Sequence, residues 1–117
     1  LVEDDADHRF ITALVLEHAG FSVVSVADGE SAVRLALELR PDAVLMDVAL
    51  PRLDGWSATQ RIKAEVPDLC VVILTAHADP EDRDLAKAAG ADRFVPKPVL
   101  PRELLRIMGE CIAEHRS

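Results

Sequence analysis

The chain has 117 residues, half of them hydrophobic, with 3 Phe, 1 Trp and no Tyr. That suits one domain over 1–117 with a core of Val, Leu, Ile and Ala. With 21 acids against 13 bases the formal charge is −8, which argues against nucleic acid, where Lys and Arg must neutralise phosphates, and against anionic membrane surfaces.

Taken in order, the sequence alternates short apolar runs with amphipathic stretches. Leu1-Val2 reads as the end of a strand already under way, so a few residues are expected to be missing before it. Asp5 offers an N-cap for a helix over about 6–19, stopped by Gly20, with Phe10, Ile11, Leu14 and Val15 as its apolar stripe. Ser22 to Val26 reads as a strand. A second helix starts at Asp28 and ends before Pro41, with Ala32, Val33, Ala36 and Leu39 facing inward. Ala43-Val44-Leu45-Met46 is a continuous apolar run, the pattern of a strand buried on both faces, and it stops at Asp47.

A loop from Val48 to Leu53 leads to a third helix, starting near Asp54 and ending near Pro67, with Trp56 in its first turn as a partly exposed packing residue. Cys70 to Leu74 is a second wholly apolar run, ended by Thr75. Asp79-Pro80-Glu81-Asp82 combines an N-cap, a proline at the first helical position and first-turn acids, a strong helix start, and Gly90 stops this fourth helix. Phe94-Val95 belongs to the last strand, which closes at Lys97-Pro98. Pro101 opens a final helix with Leu104, Met108, Cys111 and Ile112 on one stripe. That stripe, and Leu85 of the fourth helix, read as mostly core. Five strands alternating with five helices predict a single doubly wound α/β sheet, parallel and flanked on both faces, in the flavodoxin-like strand order 2-1-3-4-5.

Cys70 and Cys111 match no metal or redox spacing. Two buried, reduced thiols are expected, and with them a reducing compartment. No signal peptide is evident, and no apolar run approaches the ~20 residues that span a bilayer.

In open parallel sheets, ligands bind at the carboxyl ends of the strands. The first strand here ends in Glu3-Asp4-Asp5, the third in Asp47, the fourth in Thr75 and the fifth in Lys97. Singly, each residue has an ordinary role: an acid caps a helix, a threonine turns the chain, a lysine sits at the surface. Jointly, three central acids among these, a hydroxyl and an ammonium converge on one edge. Clustered carboxylates repel unless a cation joins them, and few, hard, water-accessible oxygens suit Mg²⁺. Thr75 and Lys97 are then placed to stabilise charge on a transferring phosphoryl group.

Together, Leu1-Val2-Glu3-Asp4-Asp5, Val44 to Pro51 followed by Asp54-Gly55, Ile73-Leu74-Thr75-Ala76 and Gly90 to Pro98 resemble the response-regulator receiver family, over essentially the whole chain. The resemblance implies that Asp47 is the phosphoacceptor, and that Glu3, Asp4, Asp47 and the backbone carbonyl of Ala49 hold Mg²⁺ or Mn²⁺. It implies that Thr75 is the switch hydroxyl, Lys97 the counter-charge and Phe94 the aromatic that changes rotamer, and that the Lys97-Pro98 peptide is cis. Ala49 and His77 occupy positions that tune hydrolysis of the aspartyl phosphate in relatives. The implied function is two-component signalling in the cytoplasm. A sensor histidine kinase or histidine phosphotransfer protein is the donor, and a downstream effector or second copy reads the face made by the fourth helix, last strand and last helix. The protein is expected to be a switch with self-catalysed phosphotransfer and slow autodephosphorylation rather than an enzyme.

Three other readings are weighed against this one. A phosphohydrolase with an aspartate nucleophile commonly needs a second Asp two residues on, where Ala49 stands. A docking-only relative would not need the intact acid pair, Asp47, Thr75 and Lys97. A nucleotide or flavin module would need a glycine-rich loop where the acids stand.

Overall fold

The computed structural model describes residues 1–48, 54–76 and 79–116. In chain order it contains α1 (Ala6–His18), α2 (Gly29–Leu39), β1 (Ala43–Asp47), α3 (Gly55–Glu65), β2 (Cys70–Thr75), α4 (Pro80–Ala89), β3 (Arg93–Pro96) and α5 (Pro101–Arg116). The aspartates that the sequence offers as caps act as such. The Asp5 side chain accepts the amides of Asp7 and His8, Asp28 that of Ser31, Asp54 that of Ser57 and Asp79 that of Asp82. Each satisfies donors that have no partner within the helix. Gly90 ends α4 in the left-handed region, at φ 90.

The strands pair in parallel in the order β1-β2-β3, with Asp47 opposite Leu74 and Thr75 opposite Pro96. The two strands expected earlier in the chain are single bridges instead. Val2 bridges Val26 on one side and Met46 on the other, both in parallel. Val2 donates to the Leu45 carbonyl at 2.8 Å and Asp47 donates to the Val2 carbonyl at 3.0 Å. Leu1 and Val2 are too few for a ladder. Yet they lie between the Val26 segment and β1, so the spatial order is the expected 2-1-3-4-5, and the fold is the flavodoxin-like doubly wound sheet.

Strand side chains alternate between two cores, as a pleat of period two requires. Val44, Met46, Val71 and Ile73 pack with Ala32 and Ala36 of α2 and Ala58 and Ile62 of α3. Leu45, Cys70, Val72 and Leu74 pack with Leu16 of α1 and Leu104, Met108 and Cys111 of α5. Trp56 is partly buried against the first core.

Several burial expectations fail. Phe10, Ile11 and Leu14 of α1 are exposed, as are Leu39 and Leu85, and only Leu16 of α1 is fully buried. One helical face of α1 carries more apolar side chains than the single rung that meets the sheet accepts. Leu39 ends α2 beside the αL residue Arg40 (φ 45), where the chain turns out of the helix towards β1. In α4 the small Ala86 and Ala89 are buried instead, and Leu85 is turned outward.

The cysteines are also corrected. Cys70 and Cys111 are buried as expected, but they are joined in a disulfide rather than left as thiols. The first residue of β2 faces the α5 side of the sheet, and this brings it against a residue 41 positions later.

Candidate functional site

The carboxyl ends of the strands gather the predicted residues. Glu3 follows the Val2 bridge, and its amide donates to the Val26 carbonyl at 3.1 Å. Asp47 ends β1, held by its own amide on Val2. A carboxylate oxygen from each of Glu3, Asp4 and Asp47 falls within a 4.8 Å set. Glu3 and Asp47 are largely buried and Asp4 is exposed, so the cluster has a buried floor and one open wall.

Lys97 reaches this cluster from the loop after β3. Its Nζ is 3.2 Å from Asp47 Oδ2 and 3.4 Å from Glu3 Oε1. The Lys97 amide donates to the Thr75 carbonyl at 2.6 Å, and the Lys97–Pro98 peptide is cis, as expected. Thr75, the last residue of β2, is buried, one register step beyond Asp47.

The electrostatics are those of crowded acids around one cation. Burial pushes the Glu3 carboxyl up to about 7; the hydrogen bond and negative charge of Asp47 add to this, and Lys97 opposes it. Burial works against the Lys97 ammonium, but Asp47 and Glu3 outweigh it and hold its pKa above the ordinary lysine value. The Asp5 carboxyl is held below its ordinary range, chiefly by the hydrogen bond from the His8 amide; its role is the cap, not the cluster. Three carboxylates sharing one lysine leave negative charge that a hard divalent cation fits, through Glu3, Asp4 and Asp47.

Phe94 lies in β3, half-buried against the α2–α3 core. The Arg83 guanidinium of α4 sits 5.0 Å over its ring. Ala49 and His77 lie outside the described residues.

The supporting roles of two residues, Arg9 and Gly55, were not read from the sequence. Arg9 donates from Nη1 to the Glu3 carbonyl at 2.8 Å and to the Asp4 carbonyl at 3.4 Å, so α1 fixes the backbone of the acid pair. Its spacing from Asp4 was the only available signal, and a helix-face arginine is too common to read. Gly55 opens α3 and donates to the Val48 carbonyl at 3.0 Å. A Cβ there would lie 2.5 Å from both the Asp47 carbonyl oxygen and the Val48 Cα. Only glycine allows α3 to start this close to Asp47.

A doubly wound sheet with an acid cluster, a buried hydroxyl and a lysine at its strand ends defines a phosphoacceptor class of domain. The family model of the response regulator receiver domain matches residues 1–108, and the chain belongs to that family. It is 38% identical over 104 residues to a probable transcriptional regulator, ycf27, of Guillardia theta, covering 89% of this chain and 41% of that protein. It is 38% identical over 108 residues to the response regulator MprA of Mycolicibacterium vanbaalenii, covering 92% of this chain and 47% of that protein. The chain thus spans less than half the length of these curated relatives.

Among solved structures, a CheY-like receiver domain protein from Methanospirillum hungatei matches with TM-score 0.93 at 27% identity, covering 98% of this chain and 92% of that one. The receiver domain of the sensor histidine kinase PA1611 from Pseudomonas aeruginosa matches with TM-score 0.89 at 39% identity, covering 96% and 93%. That structure has a magnesium ion coordinated in its active site cleft. The chain is accordingly a receiver domain of two-component signalling. No helix among the described residues is long and apolar enough to cross a membrane.

Proposed function

We propose that this domain takes a phosphoryl group on Asp47 from a phosphohistidine of a sensor histidine kinase or histidine phosphotransfer protein. The observation that carries this is the set of Glu3, Asp4 and Asp47 oxygens within 4.8 Å, with Lys97 Nζ 3.2 Å from Asp47. An Asp47 carboxylate oxygen attacks phosphorus in line, the bond from phosphorus to the imidazole nitrogen breaks, and the histidine leaves. Glu3, Asp4 and Asp47 are the side chains that would hold Mg²⁺ (Mn²⁺ has the same donor preference), with the Ala49 carbonyl as a further ligand. The ion supplies neutralising charge for the phosphoryl oxygens. Lys97 passes from the Asp47 carboxylate to a phosphoryl oxygen, and Thr75 donates its hydroxyl to another.

The domain is a switch with slow autodephosphorylation rather than a turnover enzyme. The added charge and acceptor oxygens draw on Thr75, and Phe94 follows by repacking. The output face is α4, β3 and α5, read by an effector or a second copy. The net charge of −8 favours neither nucleic acid nor membrane as the direct partner, and the domain is read as cytoplasmic.

Intact mass after incubation with acetyl phosphate tests the acceptor. Wild type with Mg²⁺ is expected to gain one phosphoryl group, and neither Asp47→Asn nor wild type in chelator should. An equal gain on Asp47→Asn would refute the assignment.

A further inference from the structure

We propose that Cys70 and Cys111 form a thiol–disulfide exchange site. A dithiol, as a small molecule or on a protein, would be its reductant, and its redox state would set how firmly the C-terminal half of α5 is held to the sheet. Cys70 opens β2, the strand that ends in Thr75, and Cys111 lies in the last turns of α5. Leu104 and Met108 bury the front of the helix without help. Beyond Cys111, Ile112 is half-buried in a cleft shared with Val44, Leu45 and Met108, and the further described contacts are polar. His115 Nε2 is 3.1 Å from Asp92 Oδ1, with side chains 20% and 18% exposed, and the Arg93 guanidinium pairs with Glu114. The more exposed Arg93–Glu114 pair contributes little against fraying, so the His115–Asp92 pair and the covalent bond are the attachments at this end.

Both sulfurs lack exposed surface. Exchange therefore requires the last turns of α5 to open locally, which makes the site responsive to whatever holds or frees that helix. His115 brings a ring nitrogen within the same 4.8 Å set as the two sulfurs, and its Nδ1 lies 2.9 Å from the Cys111 carbonyl. An imidazole at that range can support a released thiolate. In a reducing compartment a disulfide is usually a sensing or transient bond rather than a permanent staple. This step rests on the cytoplasmic reading above.

The chemistry balances with the dithiol alone. A thiolate of the reductant attacks one cystine sulfur, the S–S bond breaks, and the released cysteine takes a proton. The second thiol of the reductant then displaces the remaining cysteine. Two electrons and two protons pass to Cys70 and Cys111, and the reductant becomes a disulfide.

The test pairs alkylation with hydrogen exchange on the same 117-residue chain. Air-purified protein denatured in iodoacetamide is expected to gain no adduct, and to gain two after dithiothreitol. In native buffer, the amides from Met108 to His115 should exchange at least tenfold faster in the reduced form, while those of α2 stay unchanged. A Cys70→Ala/Cys111→Ala variant should exchange at the reduced rate and ignore dithiothreitol. Two adducts without reductant, no change in α5 exchange, or equal acceleration in every helix would each overturn the proposal, the last by making the bond a global staple. Phosphoryl uptake from acetyl phosphate is measured in both forms. Uptake in neither, with exchange as expected, counts against the receiver reading alone.

Discussion

At the scale of single residues, Glu3 carries the electrostatic cost of assembling the site. Its folded pKa is raised to about 7 from an ordinary 4.5, with burial as the first cause. The folded protein therefore holds this proton more tightly than the unfolded chain does. The resulting stabilisation is full below pH 4.5 and is lost as pH rises towards about 7. Urea midpoints of metal-free wild type at pH 5 and pH 8 should show that loss, and Glu3→Gln should remove most of it. An identical pH trend in the two proteins would contradict the burial argument. Arg83 over Phe94 acts at the same scale: a cation–π contact contributes about 0.5–1 kcal/mol. Arg83→Ala is expected to lower stability by about that amount and to broaden the Phe94 ring resonances; unchanged ring resonances would mean that the contact does not hold the rotamer.

At the scale of elements, the start of α3 is built around the absence of a side chain at Gly55. Gly55→Ala sets a methyl carbon 2.5 Å from backbone atoms of Asp47 and Val48, so the strand end must shift. A loss of about 2 kcal/mol and slower phosphoryl uptake are expected. Gly109, inside α5 with open space around its Cβ position, is the control: Gly109→Ala should stabilise by up to about 1 kcal/mol. Chemical denaturation of both variants checks the pair, and a neutral Gly55→Ala would contradict the close approach. The helix ends were legible because Asp5, Asp28, Asp54 and Asp79 cap through local hydrogen bonds that sequence spacing specifies. The strands β1 and β2 were legible as apolar runs cut off by Asp47 and Thr75. What escaped depends on which rung meets a neighbour. Periodicity marks Phe10, Ile11 and Leu14 as one stripe but does not say that the sheet accepts only Leu16. The Cys70–Cys111 bond joins residues far apart in sequence, which neither spacing nor composition encodes.

At the scale of the whole molecule, a body of 31 × 29 × 24 Å places the acids, hydroxyl and lysine at one end of the sheet and the cystine at the other end of β2. Two separate cores flank that sheet, so a change at Thr75 can reach α4 and α5 through β2 and β3 without crossing α2. The central claim is that all of this serves one nucleophile. Aspartyl phosphate is an acyl phosphate, and borohydride reduces it to an alcohol, leaving homoserine where the aspartate stood. Peptide mapping by tandem mass spectrometry after acetyl phosphate, Mg²⁺ and borohydride should find homoserine at position 47 and at no other acid. Homoserine at Asp4 or another carboxylate, or a phosphoryl adduct that borohydride leaves intact, would contradict the account.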